Sequence, residues 1–287
     1  MMRILHAVRF LLVLPLLVLT LAFSPKAGES GALSFAGQDV FVFDQAFVMG
    51  QGVTTDGEYY YTSGAITALD MTALAKYTFP DMTPVMHKIN PLPEACAARG
   101  NNHIGGISCY HGKIYAPVEG GDVCCACVAV FDCADLSFTG ELYDLPNGLF
   151  PDGIPWLAVD GETGLLYASP WSHAKTVYVF DANDGMRPVR EIPVQGLGEL
   201  DRIQGGEFYE GTLYLSRDVK DAGDVKQVLR FDPATGIAEV FAEREIGDVS
   251  RCETEDLTVY PAPDGSLFHI LDYNKRIGVF VRHYAWE

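Results

Sequence analysis

A two-strand phrase returns five times along this chain at nearly constant spacing. It reads GQGVTTDGEYYYTSG, IGGISCYHGKIYAPVEGG, IPWLAVDGETGLLYASPW, IQGGEFYEGTLYLSRD and TEDLTVYPAPDGSLFHILDYN. Each copy has a short apolar strand, a turn carrying glycine, and a second strand that places an aromatic residue after an apolar one. Aligned on Gln51, Gly105, Pro155, Gln204 and Glu255, the copies are 54, 50, 49 and 51 residues apart. A period of that length is one supersecondary unit, too small to bury its own faces and stable only when stacked on its neighbours.

The segments between the hairpins complete the unit. CVAVFDC, TVYVFDA and QVLRFDPATG supply third strands, with AITALDM and IGVFVRH as weaker versions. GELYDLP, PVREIPV and AEVFAERE supply fourth strands. Asp132, Asp181 and Asp232 end third strands where a turn must begin, which suits a side chain that caps its own turn. Four strands per repeat, without helical periodicity in the body of the chain, predict an all-β five-bladed propeller. A β-sandwich or β-helix leaves the repeat spacing unexplained. The fifth repeat runs out of chain before its fourth strand, and DVFVFDQAF at 39–47 is placed to supply it, closing the ring and removing an exposed edge. The expected organisation is a leader over 1–22, a linker over 23–37 and one propeller over 38–287.

The leader reading rests on Arg3 and Arg9 ahead of a largely apolar run from Phe10 to Phe23, with small residues at a cleavage position near Ala22. The run is short for a spanning helix and fits a signal-peptide core. An uncleaved anchor is the alternative. Either places the body of the protein outside the cytoplasm, secreted, periplasmic or extracellular, with no stable membrane contact if the leader is cleaved. Seven cysteines, Cys96, Cys109, Cys124, Cys125, Cys127, Cys133 and Cys252, then face a compartment where disulfides persist. The odd number leaves at least one unpaired. On a strand Cys125 and Cys127 share a face while Cys124 points to the other, so disulfide or buried-thiol use fits these neighbours better than a metal site. The net charge of −18, from 38 acids against 20 bases, repels phosphate backbones and argues against nucleic acid as a partner.

In a four-stranded meander the start of the innermost strand and the end of the second lie on the same rim. The starts contribute Gln51, His103, Asp152, Arg202, Gln204, Glu253, Glu255 and Asp256. The ends contribute Glu119, Trp171, Asp218 and Asp272, and Glu207 lies further along the QGGE strand. This set is dense in groups that bind polar ligands or move protons. The expected ligand is a polar small molecule, a peptide end or a saccharide. Glu253 and Glu255 share one face of a strand about 7 Å apart. They suit either an oxygen-rich calcium site, with Glu255 as the metal ligand, or, with His103, acid–base catalysis. Trp171, in SPWSHAK, is placed as a platform for a sugar or an aromatic group. Solvated rim charges and hydrogen-bonded channel residues are the structural alternative for all of these.

The Gln-Gly of QGVTTDGEYYYTSG and the acid-rich ETEDLTVY resemble blade openings of the plant and bacterial type of glutaminyl cyclase, a secreted five-bladed propeller that cyclises N-terminal glutamine. IPWLAVDGETGLLYAS and VLRFDPATG resemble the gluconolactonase and paraoxonase-like calcium hydrolases, which have six blades. The first resemblance implies a cyclotransferase, the second a hydrolase with an axial calcium. In blade two this chain has Gly105-Gly106 where the cyclase pattern places an acid-Gly pair, and in blade three it has Pro155-Trp156.

Overall fold

The computed structural model describes residues 31–42, 47–120, 126–146, 148–219, 225–246 and 252–287. The expected leader, Cys124 and Cys125 lie outside these residues. Among the described residues no helix is long and apolar enough to cross a membrane.

Five small antiparallel sheets form the five blades. Blade one is β2 (Gly52–Thr55), β3 (Tyr59–Ile66), β4 (Met71–Thr78) and β5 (Pro84–Ile89). A single helical turn, α1 (Glu94–Ala97), leads into blade two. There the innermost strand is split into β6 (Asn101–Ile104) and β7 (Ser108–Tyr110), both paired with β8 (Lys113–Gly120). Strands β9 (Cys127–Asp132) and β10 (Phe138–Asp144) complete the blade. Blade three is β11 (Leu157–Val159), β12 (Leu165–Ala168), β13 (Thr176–Asp181) and β14 (Arg187–Pro193). Blade four starts with the two-residue β15 (Gln195–Gly196), which pairs in parallel on the outer edge. It continues through β16 (Ile203–Tyr209), β17 (Thr212–Arg217), β18 (Val225–Phe231) and β19 (Ile237–Glu245). Blade five is β20 (Cys252–Val259), β21 (Phe268–Asn274) and β22 (Gly278–Trp286).

The fourth strand of blade five is β1 (Leu33–Val42), antiparallel to β22 with Leu33 opposite Trp286 and Val42 opposite Gly278. The ring is therefore closed by the N-terminal strand, which begins five residues before the expected boundary at 38. A buried relay fastens it. His269 Nε2 donates to the Tyr260 carbonyl at 2.9 Å, leaving its Nδ1 to accept from His283 Nδ1 at 2.7 Å, while His283 Nε2 donates to Asp39 Oδ2 at 3.0 Å.

Local chemistry explains the turns. Asp132, Asp181 and Asp232 each accept a backbone N–H two residues on, from Ala134, Asn183 and Ala234, at 2.7–3.0 Å. Asp56 does the same for Glu58 and Tyr59 in the first Asp-Gly turn, with Gly57 at φ +87°. The expected third strand AITALDM is the one strand reading that fails. Ala65 and Ile66 finish β3, Thr67–Leu69 form a 3-10 turn, Asp70 sits at φ +49°, and the third strand is Met71–Thr78.

Alternation along each strand sends successive side chains to opposite faces, so each blade feeds two interblade cores. Tyr60 packs toward blade five against His269, with ring centroids 5.5 Å apart, while Tyr61 joins the core shared with blade two. Tyr115, Tyr167 and Tyr214 repeat the role at the next three interfaces. Five apolar clusters result, one between each pair of adjacent blades.

Candidate functional site

Glycines bring the inner strands together at the axis. A Cβ on Gly52 would collide with the Ser63 hydroxyl and meet the Gly105 carbonyl at 2.8 Å, and one on Gly105 would collide with the Pro155 carbonyl. One on Gly106 would meet the Gln204 carbonyl at 2.7 Å, so blades two and four touch across the axis. Blade five contributes Asp256, whose carboxylate sits where a Gly205 Cβ would lie. Its Oδ2 accepts the N–H of Val53 and of Ile107, each at 3.0 Å, and Oδ1 accepts its neighbour Leu257 N–H at 2.8 Å. Burial, more than the nearby Glu207 charge, raises its proton affinity well above the ordinary carboxylate range, and the three N–H groups oppose that.

Glu207 lies on the far side of this junction. Its Oε2 accepts from Thr54 Oγ1 at 3.1 Å and Thr258 Oγ1 at 3.3 Å, and its Oε1 from the Phe208 N–H at 3.2 Å. The residue is partly exposed overall, while its carboxyl is enclosed by these neighbours. That enclosure governs its titration, and burial pushes it up to about 8 against the three hydrogen bonds.

On the opposite rim, blades one to three converge. His103 and Glu119 are register partners on β6 and β8, so the two rim positions expected from the meander coincide here. His103 Nε2 donates to Gln51 Oε1 at 2.8 Å, and its Nδ1 stands 3.2 Å from Glu119 Oε1 without hydrogen-bond alignment. Glu119 Oε2 occupies the place a Gly153 Cβ would take, and Gly153 itself sits at φ +97°, a region that favours glycine. Next to Gly153, Asp152 Oδ2 accepts the Ser172 N–H at 2.9 Å and the Ser172 hydroxyl. Three buried atoms, His103 Nδ1, Glu119 Oε2 and Asp152 Oδ1, have no hydrogen-bond partner among the described residues.

Trp171, Arg202, Asp218 and Asp272 belong to a separate, largely ionic network centred between blades four and five. Arg202 lies over the Trp171 ring at 4.8 Å and donates Nε to the Asp218 carbonyl at 2.7 Å. The Asp218 carboxylate is also paired with Arg202 and Lys226, and accepts the Thr254 N–H at 3.2 Å. One face of the expected Trp171 platform is thus covered. Thr254 Oγ1 donates to Asp272 at 2.7 Å, and Asp272 is gripped by Arg244 at 3.1 Å and Arg282 at 2.5 Å. Burial pushes Asp272 up, but the two guanidiniums outweigh it and hold the carboxyl below its ordinary range. The sequence reading passed over Lys226, Arg244 and Arg282. Their signal was a charged residue at a position where strand alternation expects an apolar one.

Glu253 pairs with Lys275 at 2.9 Å, partly exposed. Glu255 is buried, and burial first, then the Glu253, Asp218, Asp272 and Asp256 charges, raise it well above the ordinary range. Among the described residues no hydrogen bond or ion pair joins His103 to either glutamate, and it faces Gln51 and Glu119 instead. Gln204 lines the axis at the Gly106 contact. Among the described residues no group of three or more His, Cys, Asp or Glu is arranged to hold a metal ion. The calcium expectation at Glu255 therefore finds no ligand set there.

No family model matches this sequence, and no curated protein matches it significantly. Solved structures do resemble it. Glutaminyl cyclase from Myxococcus xanthus aligns over 90% of this chain and 97% of its own, with a TM-score of 0.61 and 13% identity. A luciferin-regenerating enzyme aligns over 86% and 95%, with a TM-score of 0.50 and 10% identity. The GH43 protein BlXynB from Bacillus licheniformis aligns over 88% of this chain and 54% of its own, with a TM-score of 0.55 and 13% identity. At these identities the likeness is one of fold: this chain is a five-bladed β-propeller.

Proposed function

We propose that the rim of blades one to three binds an amine-bearing polar ligand, and that a peptide N-terminus is the class that fits it. The observation that carries this is the set of three buried acceptor atoms, on His103, Glu119 and Asp152, that lack donors. Buried polar atoms in native proteins are normally paired. An ammonium group brings three N–H donors and a positive charge to two carboxylates and an imidazole. Saccharide hydroxyls bring donors but leave both carboxylates uncompensated. The overall charge of −18 draws cations toward the molecule, and the expected leader would present the site outside the cytoplasm.

A second reading rests on His103, held between Gln51 and Glu119. In it the imidazole takes a proton from the α-amine of an N-terminal glutamine as that nitrogen attacks the side-chain carbonyl. Ammonia then leaves with a returned proton. That is the reaction class of glutaminyl cyclase, whose fold this chain shares.

The test is a thermal-shift and calorimetric panel of short peptides with free or acetylated N-termini, saccharides and calcium. Free N-termini raise the unfolding midpoint, acetylation abolishes the effect, and Glu119→Gln or Asp152→Asn weakens binding about 10–100-fold. Stabilisation by saccharide or calcium alone, or an acetylated peptide binding equally well, would overturn the amine reading. Ammonia release from a glutaminyl peptide, lost in His103→Gln, supports the second.

A further inference from the structure

Five of the seven cysteines lie among the described residues, and none is in a bridge there. Four of them meet in two pairs around blade two. Cys109 of β7 has its Sγ 3.4 Å from the Sγ of Cys133, which follows β9 and is anchored by its N–H to the Gly112 carbonyl at 2.9 Å. Cys96, in α1, shares a thiol–thiol hydrogen bond with Cys127, the first residue of β9. The fifth, Cys252, is buried in blade five.

We propose that Cys96–Cys127 and Cys109–Cys133 are disulfide bridges of the oxidised protein. A bonded pair of sulfurs stands about 2.05 Å apart. Bringing Cys109 and Cys133 there from 3.4 Å asks a shift of about 1.4 Å, shared between two side chains that already face each other. Two thiols placed this way gain little from an S–H···S contact, whereas the bridge fixes the chain covalently. The two bridges have distinct tasks. Cys109–Cys133 joins the first and third strands of blade two beneath the Gly112 turn. Cys96–Cys127 ties α1, ahead of β6, to the strand that follows β8, so the closed loop contains both His103 and Glu119.

The chemistry is thiol–disulfide exchange with a low-molecular-weight disulfide such as oxidised glutathione. One cysteine thiolate attacks the external disulfide and releases a thiolate. Its partner then attacks the mixed disulfide and releases the second. Two cysteine thiols are oxidised, the external disulfide is reduced to two thiols, and the cysteine protons end on those thiols. Both thiols of the Cys96–Cys127 pair are fully buried in the folded chain, so this exchange takes place while the chain folds.

The experiment refolds the full chain in a glutathione redox buffer, quenches with acid, alkylates under denaturing non-reducing conditions and maps the peptides. The four cysteines are expected as the cross-linked pairs Cys96–Cys127 and Cys109–Cys133. Reduction should lower the unfolding midpoint by roughly 5–10 °C per bridge. Recovery of the four singly alkylated, or bridged instead to Cys124, Cys125 or Cys252, overturns the assignment. Cys133→Ser and Cys96→Ser should each remove one cross-linked peptide and leave the other. Loss of both bridges from either variant that still folds also counts against it.

Discussion

Replacing Glu207 by glutamine should stabilise the protein, and should do so only at neutral and alkaline pH. The unfolded chain releases this proton near 4.5, whereas the folded protein keeps it until about 8. Between those values the unfolded state binds fewer protons, so stability falls as pH rises, and the full cost is reached above about 8. A displacement of about 3.5 units corresponds to about 5 kcal/mol as an upper bound. The partial exposure of the residue reduces this, and a realistic range is about 2–5 kcal/mol. Glutamine keeps the shape and an acceptor for the Phe208 N–H, and its amide donates to the hydroxyls of Thr54 and Thr258 once they reorient. Urea unfolding of both proteins at intervals from pH 5 to 9 provides the measurement. The expected difference is near zero at pH 5 and grows to its maximum by pH 9. Subtracting the variant cancels the neighbouring titrations of Asp256 and Glu255 to first order. A difference that does not change with pH, or a glutamine variant less stable at pH 9, would refute the claim that enclosure holds the proton on Glu207.

The opposite limb of the pH profile belongs to His269, which burial holds down to about 4 from 6.5. The folded state refuses a proton that the unfolded state accepts, so about 3 kcal/mol is lost as pH falls from 6.5 to 4, and His269→Gln should flatten that limb in the same urea titration. Arg244→Met leaves the buried Asp272 carboxylate short of a partner and should cost about 3–5 kcal/mol, much of it recovered by adding Asp272→Leu; a double-mutant cycle measures the coupling. Gly205→Ala puts a methyl where the Asp256 carboxylate sits and should cost about 3 kcal/mol or more by denaturant unfolding.

Most of the architecture could be read from the chain because a propeller repeats its grammar. The spacing of Gln51, Gly105, Pro155, Gln204 and Glu255, and the incomplete last unit, point to five blades and to closure by the N-terminal strand. Blade one departs at Thr67–Leu69, where apolar residues that look like a strand form a turn because Asp70 adopts the left-handed region. The strand pattern put His103 and Glu119 on one rim, a strand start and a strand end, but paired His103 with Glu253 or Glu255 rather than with its register partner. What was not legible depends on distance in space alone. Nothing local in ETEDL says that Asp256 reaches the Val53 N–H, 203 residues away, while Asp218 and Asp272 are consumed by arginines and a lysine. Strand pattern gives a residue's rim and face, whereas its partner comes from whichever blade stands opposite.

The junction of glycines and Asp256 is a knot at the axis of the propeller. Backbone from blades two and four and a carboxylate from blade five meet there, so three blades are tied to one another at a single point. The three acceptor atoms on His103, Glu119 and Asp152 and the protonated Glu207 thus sit on opposite sides of one knot of backbone.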